Sequence, residues 1–490
     1  MTAERVKISV AKGDGIGPEI MDAVLSIFDA AQVPLDLDFV DMGKSIFDKG
    51  HATGMTPEAK TSIEANGILF KGPMETPKGK GVKSINVTAR KTWSTYANRR
   101  HFRSLHGVDT VFSKAGIPVD ITIVRENIED TYGGIEHHMT EDVAVGRRII
   151  TRPGCEQVVR FAFEMARKEG FKTVHCGHKA NIMKLTDGMF LNTFYDIAKE
   201  YPEIEAKDII VDDLAMKLVV MPQIFEVVVL PNLQGDIISD LCAGLVGGLG
   251  FAPSANIGDK VAIFEAVHGT APDIAGKNIA NPTSLLISGV MMLRHLGFGD
   301  KADQIENALL YTLEQGVHTG DFGDKSVPAS NTTQFAETII SNMGKKPSVA
   351  TRESKMDGKV FSKPAAPTAQ RIMESNTGGV VKIDGIDLFV EWNKSAEALY
   401  NLVAANIPSD LNIGVITNRG TAVYPDASLF TECINQYTIR LEGENQDAKA
   451  LLNLAANLND HFRVNSTELL LNVDGKGLYS LGQGQAKMAK

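Results

Sequence analysis

Cysteine is scarce in this chain. The four present (Cys155, Cys176, Cys242 and Cys433) lie far apart with no C-x-x-C pair, which argues against a disulfide framework and fits a reducing compartment. Long apolar runs are missing too. The longest, Val227 to Leu230 and the stretch around Leu285 to Leu293, fall far short of the roughly 20 residues a membrane span needs. The N-terminus lacks a signal-peptide core, so a cytoplasmic location without a membrane partner is expected. Basic charge is not in excess. With 50 Lys and Arg against 60 Asp and Glu the net charge is −10, so the chain as a whole does not attract nucleic acid. A polyanionic substrate must then be held by locally gathered arginines. The common nucleotide fingerprints are absent as well. Gly13-Asp-Gly-Ile-Gly17 is G-x-G-x-G, not G-x-G-x-x-G, and Gly43-Lys44-Ser45 lacks the upstream glycine of a P-loop. The better reading of Gly13 to Gly17 is a structural turn, followed by a helix with Pro18 and Glu19 in its first turn.

Among what is present, a length of 490 residues allows two to four domains with ample cores. The most informative stretch runs from Asn232 to Asp240, after the buried-strand pattern Val227 to Leu230. If Gly235 ends a turn and Asp236 opens a helix, Asp236 and Asp240 share one face. That pair suits a hard cation such as Mg²⁺, which takes one or two carboxylates and completes its shell with substrate oxygens. A lone D-x-x-x-D is more often two solvated acids. The setting, between an apolar strand and the glycine-dense Ala243 to Gly250, is unlike that of a surface helix. Asp212, after the apolar Ile209 to Val211, has a similar strand-end placement, where α/β proteins bind ligands.

Arg90, Arg100 and Arg125 each lie beside an expected strand or at a helix end, and three converging guanidinium groups could clamp carboxylates. His175-Cys176-x-His178 lacks a second ligand pair and is not read as a zinc site. Lys179, at the end of the strand beginning at Lys172, is the sharper candidate for chemistry. Residues 253–258 read as a loop and Val261 to Glu265 as a strand leading to His268-Gly-Thr-Ala-Pro272.

These motifs, in this order and spacing, resemble the decarboxylating isocitrate and isopropylmalate dehydrogenases over residues 5 to about 340. They are Gly13 to Glu19, Ser84-x-Asn86-x-x-x-Arg90, Arg100, Arg125-Glu-Asn-x-Glu-Asp-x-Tyr132, His178-Lys179-Ala-Asn181, Asp212, Asn232 to Asp240 and His268 to Pro272. The resemblance implies the family's α/β fold, which is not a Rossmann fold. The implied domains are a large cofactor-binding domain (1–100 and 253–342) and a small domain (101–252) with the dimer interface, metal and catalytic residues. It also implies that Arg90, Arg100 and Arg125 bind substrate carboxylates, with Ser84 and Asn86 on the distal arm as in the isocitrate type. Asp212, Asp236 and Asp240 would hold Mg²⁺ or Mn²⁺. Tyr132, Lys179 and Asp212 would be catalytic, with Lys179 and Asp212 reaching the site of a partner subunit in a homodimer.

For the cofactor, the resemblance implies Thr76, Asn181, Glu265, His268, Gly269, Thr270, Ala271, Asp273, Ile274 and Asn281. NADP users of the isocitrate type carry Lys-Tyr after the loop proline, with Tyr and Arg in a later stretch. Here those places hold Asp273, Ile274, Gly320 and Asp324. A carboxylate within about 4–5 Å of a 2′-phosphate would repel it by several kcal/mol at an effective dielectric of about 20. It can instead accept hydrogen bonds from a ribose hydroxyl, so NAD is the expected cofactor. The implied reaction is oxidative decarboxylation of isocitrate to 2-oxoglutarate. Homoisocitrate and 3-isopropylmalate are the same-class alternatives, and a non-catalytic regulatory subunit is the alternative of another class. Two departures from the pattern stand out, His101 after Arg100 and Gln234 before the metal-site glycine.

Residues 343–378 turn to Lys, Ser, Pro and Ala and read as a linker. Residues 379–490 then give a βαββαβ order, which suggests a ferredoxin-like α+β module such as long bacterial isocitrate dehydrogenases carry.

Overall fold

The structure is a computed structural model that describes residues 5–76, 84–349, 370–373, 379–425, 428 and 430–481. The chain divides into two units, Met1–Tyr132 with Ile149–Ile372, and Gly133–Arg148 with Met373–Lys490. Its first twelve strands are β1 (Val6–Ala11), β2 (Leu35–Phe39), β3 (Ile68–Lys71), β4 (Ala97–Arg103), β5 (Asp120–Glu126), β6 (Asp130–Thr140), β7 (Val143–Ile149), β8 (Thr173–His178), β9 (Glu205–Ile210), β10 (Val227–Leu230), β11 (Pro253–Ile257) and β12 (Ala262–Ala266).

Ten of these form one sheet in the order β2-β1-β3-β12-β11-β4-β5-β10-β8-β9, while β6 and β7 make a separate hairpin. The sheet contains two parallel blocks. β2, β1, β3 and β12 run one way, and β5, β10, β8 and β9 run the other. β11 and β4 pair antiparallel with their neighbours and join the blocks. Strand direction therefore reverses at the middle of the sheet. This is the α/β arrangement expected, and it is not a Rossmann sheet. The reading of 253–258 as a loop is corrected, since Pro253–Ile257 is strand β11 between β12 and β4. Its small and polar residues hid a strand whose polar side chains find partners inside the protein.

One apolar core packs the helix Gly17–Ala30 with Thr283–His295, Gly299–Glu314 and Thr332–Ser341 over β1, β3 and β12. Two smaller cores lie around the helices Arg152–Glu169 and Thr186–Ala198, and Val211–Val220 and Asn232–Leu245. Gly13 and Gly15 have φ +76° and +60°, and a Cβ on Gly15 would meet the Thr270 carbonyl oxygen at 2.0 Å. The Gly13 to Gly17 segment is thus a turn, and Ile16 donates to the Thr270 carbonyl at 2.9 Å.

The second unit contains β13 (Val381–Glu391), β14 (Asn412–Asn418), β15 (Thr421–Tyr424), β16 (Gln436–Glu442), β17 (Arg463–Val473) and β18 (Lys476–Gly477). They form an antiparallel sheet, β15-β14-β16-β13-β17-β18. Its central order has the ferredoxin-like pattern, with the helices Ala396–Ala404 and Ala448–Leu458 burying Leu399, Val403, Leu451 and Leu458 with Ile386, Leu388 and Val390. Ser395 and Asp447 cap these helices with side-chain oxygens. Gly133–Arg148, within the stretch read as the small domain, group with this unit, and Arg147 pairs with Glu468 at 2.8 Å. Of the linker, 350–369 and 374–378 lie outside the described residues. No helix among the described residues is long and apolar enough to cross a membrane.

Candidate active site

Asn86 and Arg90 stand one turn apart on the helix Ile85–Thr92, so their side chains leave on one face. Arg90 Nη2 donates to Glu265 Oε1 at 2.8 Å, and Lys71 Nζ lies 2.5 Å from Glu265 Oε2 and 2.8 Å from Asn86 Oδ1. Glu265 is only 3% exposed. Burial works to raise its carboxyl, but Lys71 and Arg90 hold it well below the usual carboxylate range. Burial likewise pulls Lys71 below the usual lysine value, against the opposing charge of Glu265. Sequence reasoning missed Lys71. Its signal was a lysine closing the otherwise apolar Ile-Leu-Phe strand. Ser84, which precedes this helix, accepts from Thr76 Oγ1 at 3.2 Å.

Arg100, Arg125, Tyr132, Asp236 and Asp240 form an adjoining cluster. Asp236 and Asp240 lie on one face of the helix Asn232–Leu245, and Arg100 stands 3.6 Å from Asp236 and 3.5 Å from Asp240. Arg100 Nη1 also donates to Ser239 Oγ at 2.6 Å. Arg125 pairs with Asp236 and donates from Nε to Asn232 Oδ1 at 2.9 Å, while its guanidinium lies 4.9 Å over the Tyr132 ring. The Tyr132 hydroxyl donates to Asp236 Oδ2 at 2.6 Å. Burial and the nearby Arg125 and Arg90 lower Arg100 to about 10. Burial raises Asp240 with Arg100 opposing, whereas in Asp236 the charge of Arg125 overcomes burial and holds the carboxyl low. The helix starts at Asn232, four residues before the expected Asp236, so Gly235 lies inside its first turn. A Cβ there would meet Arg125 Cγ at 2.7 Å, so the glycine permits the helix and Arg125 to approach.

Lys179, at the end of β8, reaches Asp212 on the helix Val211–Val220 at 2.5 Å. Its backbone N–H donates to Asp187 Oδ2 at 2.6 Å, the same oxygen that takes the Gln234 amide at 2.9 Å. Gln234, one of the two departures, therefore ties the first turn of the metal-candidate helix to the backbone of Lys179. His101, the other, lies in β4 with Nε2 2.6 Å from Asp120. The three acids Asp212, Asp236 and Asp240 do not meet within one chain. Among the described residues no group of three or more His, Cys, Asp or Glu is placed to hold a metal. The Lys179–Asp212 pair sits on a surface rich in exposed apolar side chains, including Ile182, Met216, Val220 and Ile237.

Of the cofactor candidates, Thr76, Glu265, His268, Gly269 and Thr270 line a cavity of about 320 Å³, together with Lys71, Asn86 and Arg90. Asn181 does not line it and is exposed beside Lys179. Ala271, Asp273 and Ile274 follow in the next turn, with Ala271 at φ +39° and Asp273 exposed. Asn281 is buried, and its amide donates to Asp321 Oδ2 at 3.0 Å. His268 Nε2 is buried with no hydrogen-bond partner among the described residues, and burial lowers its pKa. A neutral imidazole nitrogen without a partner at the cavity fits a polar ligand.

Two family matches cover the chain. Residues 7–339 match isocitrate/isopropylmalate dehydrogenase, and residues 381–485 match the C-terminal domain of bacterial isocitrate dehydrogenase. The NADP isocitrate dehydrogenase of Thermus thermophilus is 47% identical over 98% of this chain and 96% of its own. The NAD isocitrate dehydrogenase catalytic subunit 5 of Arabidopsis thaliana is also 47% identical, over 68% of this chain and 87% of its own. A crystal structure of a Thermus thermophilus protein superposes with a TM-score of 0.89 at 43% identity, covering 99% of this chain and 97% of that one. The sheet that reverses at its centre, the arginines gathered there and the match to two thirds of the sequence agree: the chain belongs to the isocitrate/isopropylmalate dehydrogenase family.

Proposed function

We propose that the chain oxidises and decarboxylates isocitrate to 2-oxoglutarate and CO₂, with NAD as hydride acceptor and Mg²⁺ or Mn²⁺ as the metal, in a homodimer with shared active sites. The observation that carries this reading is the gathering of Arg90, Arg100 and Arg125 with Asp236, Asp240 and Tyr132 beside the cavity. Three guanidinium groups offer charge-assisted hydrogen bonds to a tricarboxylate. Ser84 and Asn86 stand ready for its distal arm, a polar pair where an isopropyl group would leave a hydroxyl and an amide unsatisfied.

The donor set fits a hard divalent ion in part. Asp236 and Asp240 would supply two carboxylates from one chain, and Asp212 of a second copy would supply the third. The exposed apolar face around Met216, Val220 and Ile237 supports burial against such a copy. When bound, a divalent ion would supply positive charge to the developing substrate oxyanion and the nicotinamide nucleotide would supply a hydride acceptor. Lys179, assisted by Asp212, takes the proton of the 2-hydroxyl. The clamp arginines hold the remaining carboxylates while the 3-carboxylate leaves as CO₂. Tyr132, whose hydroxyl is raised by burial and by its bond to Asp236, keeps its proton at neutral pH and delivers it to C3.

NAD rather than NADP is supported by Asp273 and Ile274 after the loop proline and by Asp324 in place of a later arginine, although the full-length Thermus relative is named for NADP. The test is a spectrophotometric assay of the purified chain with Mg²⁺, each nucleotide, and isocitrate, homoisocitrate or 3-isopropylmalate. Higher kcat/KM on 3-isopropylmalate overturns the Ser84 and Asn86 assignment, and higher kcat/KM with NADP overturns the cofactor assignment.

A further inference from the structure

A buried hydrogen-bond path joins two of the clamp arginines through the middle of the sheet. Asn98 in β4 stands directly opposite Asn256 in β11. Arg100 Nε donates to Asn98 Oδ1 at 2.8 Å, and the Asn98 amide donates to Asn256 Oδ1 at 2.9 Å and to Ser254 Oγ at 2.7 Å. The Asn256 amide donates to Glu265 Oε1 at 2.8 Å, the same oxygen that Arg90 reaches at 2.8 Å. Both asparagines are 0% exposed, and neither lines the cavity.

Two amides in a sheet interior are costly unless every polar atom is matched, and here the matching runs in one direction only. Arg100 is a donor without an acceptor, so Asn98 must present its oxygen to Arg100 and its nitrogen to Asn256. Asn256 must then present its nitrogen to Glu265. Reversing either amide sets donor against donor or acceptor against acceptor. The path also occupies Nε of Arg100, which fixes the plane of the guanidinium and leaves its two terminal nitrogens to face Asp236, Asp240 and Ser239.

We propose that the Asn98–Asn256 pair is a positioning device for substrate recognition. It sets the guanidinium planes of Arg100 and, through Glu265, of Arg90 relative to each other, so that the two meet separate carboxylates of one tricarboxylate. This rests on the assignment of Arg90 and Arg100 to substrate made above.

The experiment is steady-state kinetics on the full chain with Asn98→Ala, Asn256→Ala and Asn98→Asp, alone and combined with Arg100→Lys. Ser254→Ala is the control, since its hydroxyl takes the Asn98 amide but bonds neither arginine nor the Glu265 carboxylate. Loss of a hydrogen bond to a charged group is expected to raise the isocitrate KM of Asn98→Ala and Asn256→Ala about tenfold, with kcat changed less than about twofold. The nucleotide KM of Asn98→Ala and the isocitrate KM of Ser254→Ala stay at wild-type values. Asn98→Asp keeps the acceptor for Arg100 and loses the donor to Asn256, so its KM falls between wild type and Asn98→Ala. It carries the test if the alanine variants do not fold. In the Arg100→Lys background, Asn98→Ala adds little further loss. Unchanged isocitrate KM values in an active wild-type background overturn this inference alone, as does full additivity with Arg100→Lys. A wild-type chain without turnover on isocitrate overturns the proposed function and this inference together.

Discussion

Lys179 carries the first proton step of the proposed reaction, and its surroundings make a specific prediction. Its Nζ lies 2.5 Å from Asp212 and its backbone is pinned by Asp187. Methionine at 179 keeps the stem and removes the nitrogen. Lys179→Met is therefore expected to lower kcat by about 10³-fold or more while isocitrate and metal still bind. Binding measured by calorimetry beside turnover checks this, and affinity lost in proportion to rate means that the lysine only holds the ligand. The exposed Asp273 is the second residue with a sharp expectation. Asp273→Lys with Ile274→Tyr replaces a negative charge by a positive one, and the ratio of kcat/KM for NADP over NAD should rise about tenfold or more. An unchanged ratio shows that the carboxylate does not face the ribose. Both residues could be singled out as candidates in the sequence because each sits in a contiguous motif. Lys71 was not, since its partners Asn86 and Glu265 come from a different helix and a different strand.

Two elements of the site depend on tight local structure. The helix Asn232–Leu245 approaches Arg125 so closely at Gly235 that a Cβ would sit 2.7 Å from Arg125 Cγ. Gly235→Ala is expected to cost about 1 to 3 kcal/mol of stability and to raise the isocitrate KM, measured by denaturant titration and initial rates. The turn after β5 rests on Glu126, a buried carboxylate that accepts the backbone N–H groups of Ile128 and Glu129 at 2.6 and 3.0 Å. Burial pushes this carboxyl up from its ordinary 4.5 to about 7, against the opposing effect of those N–H donors. An acid raised in the fold binds its proton more tightly folded than unfolded. Its contribution to stability is full below about pH 4.5 and is lost as pH rises toward about 7. Glu126→Gln removes that dependence, so the melting temperature of the variant should fall less than that of the wild type between pH 5 and 7.5. Parallel curves across that range refute the assignment. The helix pattern itself was readable from residue spacing. Its start at Asn232 was not, because a glycine that reads as a turn is here a packing contact between two elements.

At the scale of the whole molecule, the proposed metal acids are split. Asp236 and Asp240 stand with the arginines, while Asp212 and Lys179 stand on an apolar face without them. If a second copy completes each site, mixing Lys179→Met with Asp236→Asn chains must restore activity. In a mixed dimer one site joins an intact Asp236 to an intact Lys179, and the other carries both defects. Random exchange of equal amounts gives half mixed dimers, so about a quarter of wild-type sites are expected. No recovery after exchange, with mixed dimers present by native mass spectrometry, excludes sharing.

The sequence by itself determined most of the elements and most of the chemical inventory, with strand β11 and Lys71 the exceptions. Apolar runs set β5, β10 and the two helices and main strands of the C-terminal unit, and closely spaced motifs named the arginines, the acids, Lys179 and Tyr132, because periodicity and short motifs are local properties of the chain. Tertiary structure alone decided which of them meet. That Glu265 lies under Lys71 and Arg90, that Asn98 faces Asn256, and that Asp212 stands apart from Asp236 within one chain follow from strand order and reversal in the ten-stranded sheet. Those pairings join residues far apart along the chain, and no local spacing specifies them.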